Sequence, residues 1–424
     1  MEKTTPTSTI GPTTGNMRLG VIDALRGFAI LGILFANILS WSLFKFTPFT
    51  TLEQLPYHEF NDTLYSLLSF FIDTKFYSIF SILFGVGFYI QYDRQRNNQD
   101  AFLKVYKRRL GFLILFGFIH MLFWSGDILM LYGMMAFVFI QFRNLPSNKI
   151  LGWSIGLMAF PLVIDAIVMM VAPGWMSPEE SLAKKTYLDQ DPASVVAAFE
   201  SGNLLVTFKQ NLHNVVWRWF DFLPSGRPFK VLGLFLFGFY LQSKDFFTVV
   251  GRSWKIFFGF FTVGAISHFI GYHIGGSMAL FAATPSDLAY KAIMVFGQLC
   301  LAISYASLLS IIYYTKWGET IFFPLTAVGK MSFTNYLSHT FIGIVIFYGI
   351  GFGLGGQMNL APIFTLAVLI YAFQVTYSYF WLKYFKFGPL EWGWKCLTYK
   401  KTFPLRNSTY DKIKAEKLKK AQNG

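Results

Sequence analysis

Asp23-Ala-Leu-Arg-Gly-Phe-Ala-Ile-Leu-Gly-Ile-Leu-Phe-Ala-Asn37 is an apolar run that carries an Asp, an Arg and an Asn. On a helix turning about 100° per residue, Asp23, Arg26 and Asn37 fall within about 60° of one another. They form one polar stripe on an otherwise apolar rod, with Asn37 about 16 Å beyond Arg26. A charge in hydrocarbon costs several kcal/mol, so the stripe is expected to face a protein interior or a water-filled cavity.

The rest of the chain fits a membrane setting. Of its 424 residues, 54% are hydrophobic and only 14% are charged, where a soluble protein has about 25% charged residues. Several runs reach the roughly 20 apolar residues that span a bilayer. The first run contains Asp23 and Arg26, and no small-x-small cleavage site follows it. It is therefore expected to stay as the first span and not to be removed as a signal peptide. The net charge of +14 raises the question of nucleic acid. Basic residues concentrate at 92–109 and 383–424, beside helix ends, which is the pattern of loops facing the cytoplasm and anionic headgroups. No nucleic-acid partner is expected. Cys300 sits in an apolar run and Cys396 in the basic tail, so neither a disulfide nor a Cys-based metal site is expected.

Hydropathy predicts helices at 19–41, 63–91, 107–124, 127–143, 148–172, 229–243, 253–275, 287–314, 322–350 and 359–383, about ten spans. The expected fold is all-α: a polytopic transmembrane helix bundle forming a single domain over 18–400. Residues 1–17 are Thr/Pro/Gly-rich and expected to be disordered. The stretch 173–228 reads as an extracytoplasmic segment with an amphipathic helix near 194–220 lying in the interface. Lys and Arg collect on the inner loops when both termini, including the basic tail 401–424, are cytoplasmic. The expected location is the cell membrane.

Asp23 and Arg26 read either as an internal ion pair that fixes packing or as a substrate contact at the cytoplasmic end. Lys75 reads as a salt-bridge partner of Asp23 or Asp127, or as a ligand contact. Arg108 and Arg109 read most simply as positive-inside anchors. The strongest candidate for chemistry is the hairpin His120-Met-Leu-Phe-Trp-Ser-Gly-Asp127. Asp127 suits a helix N-terminus as a cap. It is also placed to orient the imidazole of His120 and raise its basicity, as a general base requires. Tyr132 is expected to donate into the same cavity. Gly329 to His339, with Asn335 inside it, reads as an interrupted start to the ninth helix, of the kind tolerated where backbone lines a cavity. His339 reads as a packing histidine, and Asp165 and His268 carry no assigned role. Gly351-Phe-Gly353-Leu-Gly-Gly356 matches a dinucleotide fingerprint but lacks the strand–helix unit that motif needs. Asn407-Ser-Thr409 matches a glycosylation sequon on a tail expected inside the cell. No metal site or permanently bound cofactor is expected.

Two regions together resemble the YeiB-like membrane proteins, the domain-of-unknown-function 418 family. One is Arg18 to Leu34. The other is Val328-Gly-Lys-Met-Ser-Phe-Thr-Asn-Tyr-Leu337, continued by Gly388-Pro389-Leu-Glu391-Trp392. Gly126-Asp127-Ile-Leu, Lys75-Phe76 and Leu83-Phe84-Gly85 add to the likeness. That family is similar in turn to transmembrane acyltransferases such as the heparan-glucosaminide N-acetyltransferase group, which share an Asp-x-x-Arg-Gly start to the first helix. In one branch a His follows that Arg by eleven residues; here the position is Asn37, which cannot act as a base. The resemblance implies an acyltransferase taking acyl groups from cytosolic acyl-CoA, acetyl-CoA included, to a hydroxyl or amine on a small molecule, glycan or lipid. His120 and Asp127 would be catalytic. Asp23, Arg26, Asn37, Lys75, Tyr132 and Asn335 would line the substrate path. A homodimer is compatible with this. The rival readings are a small-solute transporter, drawing on the polar stripe and the interrupted helix, and a non-catalytic membrane partner.

Overall fold

The computed structural model describes residues 19–172, 190–222, 225–276, 282 and 284–407. The expected disorder of 1–17 falls outside them, as do 173–189 of the extramembrane segment and 408–424 of the tail. The longer helices are α1 (Gly20–Trp41), α2 (Asn61–Phe71), α3 (Lys75–Arg94), α4 (Gln99–Met121), α5 (Leu129–Phe139), α6 (Ser147–Val171), α7 (Pro192–Glu200), α8 (Leu204–Phe222), α9 (Arg227–Ser243), α10 (Trp254–Ile274), α11 (Pro285–Tyr313), α12 (Phe323–Lys330), α13 (Ser332–Phe347), α14 (Leu360–Tyr384) and α15 (Pro389–Tyr399). Among the described residues the only β pairing is one isolated bridge, Phe385 with Arg406.

Local signals set several boundaries. Asp191 caps α7, accepting from the Ser194 N–H, with Pro192 at the first helical position. Thr284 and Asp287 form a reciprocal capping box at the start of α11. Gly275, at φ 66°, ends α10 in the left-handed conformation that glycine adopts without a steric penalty.

Among the described residues, six helical stretches are long and apolar enough to cross a membrane: α1, the run His58–Arg94, α6, α10, α11 and α14. Burial separates them into a centre and a periphery. In α1 and α11, 61% of the apolar window is buried, against 17% in α6 and α10. The outer faces of α6 and α10 expose Trp153, Ile155, Val163 and Ile167, and Phe258, Val263, Ile266 and Phe269. Apolar surface on this scale is what a bilayer covers.

The centre depends on helix backbones in contact. A Cβ on Gly329 would stand 1.8 Å from the Asp23 carbonyl oxygen, and one on Gly27 would stand 1.9 Å from that of Leu325, so α1 and α12 touch at glycine on both sides. Gly85 of α3 and Gly238 of α9 form the same reciprocal contact, each 1.9 Å from a carbonyl of the other helix. Small residues at such crossings let dispersion and polar contacts join helices that hydrophobicity alone cannot drive together in lipid.

Four predicted helices differ from those observed. The predicted 63–91 helix is two, because Thr74 turns to φ 63° and breaks the chain between α2 and α3. The predicted 322–350 helix splits at Met331 into α12 and α13. The predicted 107–124 helix begins earlier, at Gln99. Its charged first turns look like loop in the sequence, yet they bury Phe102, Leu103 and Tyr106 on one face. The amphipathic helix expected near 194–220 is a pair, α7 and α8.

The glycine contact is directly testable. Gly329→Ala should lower the unfolding midpoint of the detergent-solubilised protein by an amount matching about 1–3 kcal/mol of overpacking. Gly111→Ala is the control, since a Cβ there meets nothing within 4 Å. Equal melting of the two variants would contradict the packing described.

Candidate functional site

Asp23 is fully buried and its Oδ1 accepts from Arg26 Nη1 at 2.9 Å, one turn along α1. The Arg26 side chain keeps 26% of its surface exposed, because it faces a cavity of about 320 Å³. That cavity lies between α1, α3, α4, α5, the α12–α13 junction and α15. Its polar lining includes Arg26, Arg109, Lys330 and Lys395, with Asp23 and Glu391. Four cations against two carboxylates make it an anion-favouring chamber. Further in, the walls are apolar: Phe84, Phe88, Leu110, Leu113 and Leu129. Tyr132 and Tyr336 also belong to the lining.

The helix break at Met331 shapes the chamber. Ending α12 at Lys330 and restarting at Ser332 brings Gly329, Lys330 and Ser332 to the cavity wall. The new helix start is held by Glu391, whose carboxylate accepts from the backbone N–H groups of Phe333 (2.8 Å) and Thr334 (3.0 Å) and from the Thr334 hydroxyl. These are orphan donors of a helix N-terminus, and a carboxylate suits that end of the dipole. Desolvation pushes the Glu391 carboxyl above its ordinary range, and the donors from Thr334 and Phe333 offset part of that shift.

α15 closes the same end. Arg108 donates to the Thr398 carbonyl at 2.9 Å. Arg109 donates to Gln91 at 3.0 Å and stacks 4.5 Å from the centre of the Trp394 ring, while Trp394 Nε1 donates to the Arg109 carbonyl. Arg108 and Arg109 therefore tie α4 to α15, and Arg109 also enters the cavity wall. This goes beyond the anchoring role that the sequence implies.

The hairpin pair forms as expected in geometry. His120 Nδ1 lies 2.7 Å from Asp127 Oδ1, and Asp127 Oδ2 accepts from the Met130 N–H at 3.0 Å. Asp127 thus caps α5 and orients the imidazole at once. On its other side, His120 Nε2 lies 2.8 Å from the Thr340 hydroxyl of α13. A carboxylate only accepts, so Nδ1 carries hydrogen, and in the neutral imidazole Nε2 offers its lone pair to Thr340. His120 is 2% exposed and does not line the cavity; the Tyr336 ring, in the wall, lies 5.5 Å from the imidazole. α8 seals the far side: Asn211 donates to the carbonyls of Met121 and Leu122 and accepts from the Ser125 N–H.

The remaining candidates divide. Tyr132 lines the cavity and bonds the Ser81 hydroxyl. Asn335 is fully buried but outside the lining, donating to Ser378 at 2.9 Å; Gln374 joins this cluster, bonding His339 at 2.7 Å and the Asn335 carbonyl at 2.9 Å. Asn37 is half-buried and also outside the cavity lining. Lys75 corrects the expected pairing. It meets neither Asp23 nor Asp127; its ammonium donates to the Ser69 carbonyl, released by the break at Thr74, and faces His268 Nε2 at 3.2 Å. His268 Nδ1 in turn holds the Gly264 carbonyl. Asp165, unassigned from sequence, forms a buried ion pair with Lys291 at 2.9 Å.

Sequence reasoning missed Lys330, Lys395, Glu391 and Thr340 as site residues. For Glu391 a signal existed in the Gly388–Trp392 motif. Thr340 gave none beyond its place one turn after Tyr336.

Residues 241–401 match the family described as protein of unknown function (DUF418). The chain is 29% identical to YxaH of Bacillus subtilis over 95% of its own length and 99% of the relative's. It is 29% identical to a 39.9 kDa protein from the amylase 3′ region of Bacillus acidopullulyticus, over 92% of this chain and 96% of that one. To YeiB of Escherichia coli it is 26% identical, over 92% and 98%. No solved structure matches the chain. The chain is thus similar to YeiB over most of its length, its residues 241–401 match the DUF418 model, and its described residues are helical apart from one isolated bridge.

Proposed function

We propose that this chain is a membrane acyltransferase that draws an acyl group from cytosolic acyl-CoA and passes it to a hydroxyl or amine acceptor. None of the named relatives carries such an activity in its name, so the reading rests on the site. The observation that carries it is one chamber with cations in its lining and apolar walls, whose Tyr336 is one ring from the His120–Asp127 pair.

Each part has a role in this reading. Arg26, Arg109, Lys330 and Lys395 hold the CoA phosphates through charge-assisted bonds. The acyl-pantetheine arm lies along Phe84, Phe88, Leu110 and Leu113. Arg109 and His120 are eleven residues apart on α4, about 16 Å along its axis, and the arm spans that distance. Tyr336 turns aside to admit the thioester. His120 Nε2 takes the proton of the attacking group, and Asp127 holds the imidazole in the tautomer that can do so. The alternative is a small-solute transporter, and the break at Met331 beside the Asn335–Gln374–His339 cluster favours it.

We place both termini in the cytoplasm, because the basic segments 92–109 and 383–424, whose Arg109 and Lys395 line the chamber, favour that side. In intact cells, with the native cysteines changed to serine, an impermeant maleimide should modify Ser201→Cys and spare Lys401→Cys. The reverse would overturn the orientation.

The activity is tested on purified protein with acyl-CoA and a panel of hydroxyl and amine acceptors. His120→Ala should cut transfer about 10²–10⁴-fold, and Asp127→Asn should cut it less. Because removing half of a buried pair also destabilises, folded abundance is measured alongside. Absence of acyl-CoA binding and transfer, together with solute flux in liposomes, would replace the enzyme reading with the transporter.

A further inference from the structure

Thr340 differs from three other helical threonines in where its hydroxyl goes. Thr326, Thr365 and Thr376 each satisfy their hydroxyl locally, donating to the carbonyl four residues back at 2.9 Å. This is the usual habit of a threonine inside a helix. The Thr340 hydroxyl instead reaches a residue 220 positions away, His120 Nε2, at 2.8 Å. The imidazole is held on its other side by Asp127, and Asp127 by the Met130 N–H. Thr340, His120 and Asp127 are 0%, 2% and 5% exposed. Hydroxyl, imidazole and carboxylate thus form one continuous chain, with Nε2 of the imidazole facing the hydroxyl. That constellation activates a hydroxyl as a nucleophile, and it is recognised by geometry and roles irrespective of fold.

Position adds a second argument. Thr340 and Tyr336 are four residues apart and share a face of α13. Tyr336 lines the chamber. The Thr340 hydroxyl therefore lies one turn, about 6 Å, past that wall.

We infer that Thr340 is the nucleophile of a two-step acyl transfer, carrying the acyl group as an ester on Oγ1 between donor and acceptor. This rests on the acyl-transfer reading above. In the first step Thr340 Oγ1 attacks the thioester carbonyl carbon. The C–O bond forms, the C–S bond breaks, and the hydroxyl proton passes to His120 Nε2 and on to the CoA thiolate. In the second step the acceptor hydroxyl or amine attacks the threonyl ester. Its proton goes to His120 and then to Thr340 Oγ1 as the ester bond breaks. No oxidant, reductant or metal is required.

The test uses the purified full chain with acetyl-CoA and no acceptor, quenched in acid and read by intact-protein and peptide mass spectrometry. The expected result is a gain of one acetyl group per chain, mapped to Thr340 in the wild type. Thr340→Val should abolish it, and Thr340→Ser should keep it. His120→Ala should slow its formation about 10²-fold or more. Thr365→Ala, on the exposed face of α14, should label like the wild type. With both substrates varied, the kinetics should be ping-pong. If Thr340→Val fails to fold, the site mapped in the wild type decides the question. Transfer to acceptors with no acyl-enzyme, or with the acyl group on another residue, would overturn the inference and leave the acyltransferase standing. Failure of the wild type to bind or turn over acyl-CoA would overturn both.

Discussion

A charge or strong hydrogen-bonding group inside an apolar bundle is costly unless it has a partner. The interior of this protein is organised around that constraint. Asp23 is met by Arg26 within one turn of α1. Asp165 and Lys291 join the peripheral α6 to the central α11. Asp127 is divided between the Met130 N–H and His120. Lys75 uses a carbonyl freed by a helix break, together with the neutral face of His268. Buried pairs of this kind are poor stabilisers compared with apolar packing, because desolvation consumes most of their attraction. Their value lies in fixing which helix faces which. Here they join α4 to α5, α3 to α10 and α6 to α11.

The constraint also explains how much of the molecule is legible from sequence. Apolar length placed the helices well, since a run of apolar residues with few charges has few alternatives to a buried or lipid-facing helix. The pairing of Asp127 with His120 was legible because both sit on one short turn, seven residues apart. The breaks at Thr74 and Met331 were harder. The polar residues around 329–339 marked the second one, but nothing in Asp73-Thr74-Lys75 announces a left-handed threonine. Partners distant in sequence were not legible at all. Lys75 finds His268 across 193 positions and His120 finds Thr340 across 220. A hydropathy pattern carries no information about which faces meet.

The glycine contacts give the chamber its dimensions. Because Gly27 and Gly329 let α1 and α12 approach at backbone distance, Asp23 and Arg26 stand beside the α12–α13 junction. Glu391 then anchors the restarted helix by its first backbone donors. The same helix carries Tyr336, in the chamber wall, and Thr340, on the imidazole. Packing at one end of α13 therefore sets the position of Tyr336 and Thr340, one and two turns further along. α13 thereby links the chamber wall, through Tyr336, to the buried hydroxyl–imidazole–carboxylate chain, through Thr340.

The central claim is that this chamber receives an anionic, apolar-tailed acyl donor and delivers its carbonyl to the His120 end. The most direct measurement is a cryo-electron microscopy structure of the protein bound to a non-hydrolysable acyl-CoA thioether. The account predicts density with its phosphates among Arg26, Arg109, Lys330 and Lys395, the chain running past Leu110 and Leu113, and Tyr336 turned away from His120. An empty chamber at saturating ligand, or ligand bound elsewhere with Tyr336 still packed against His120, would contradict it.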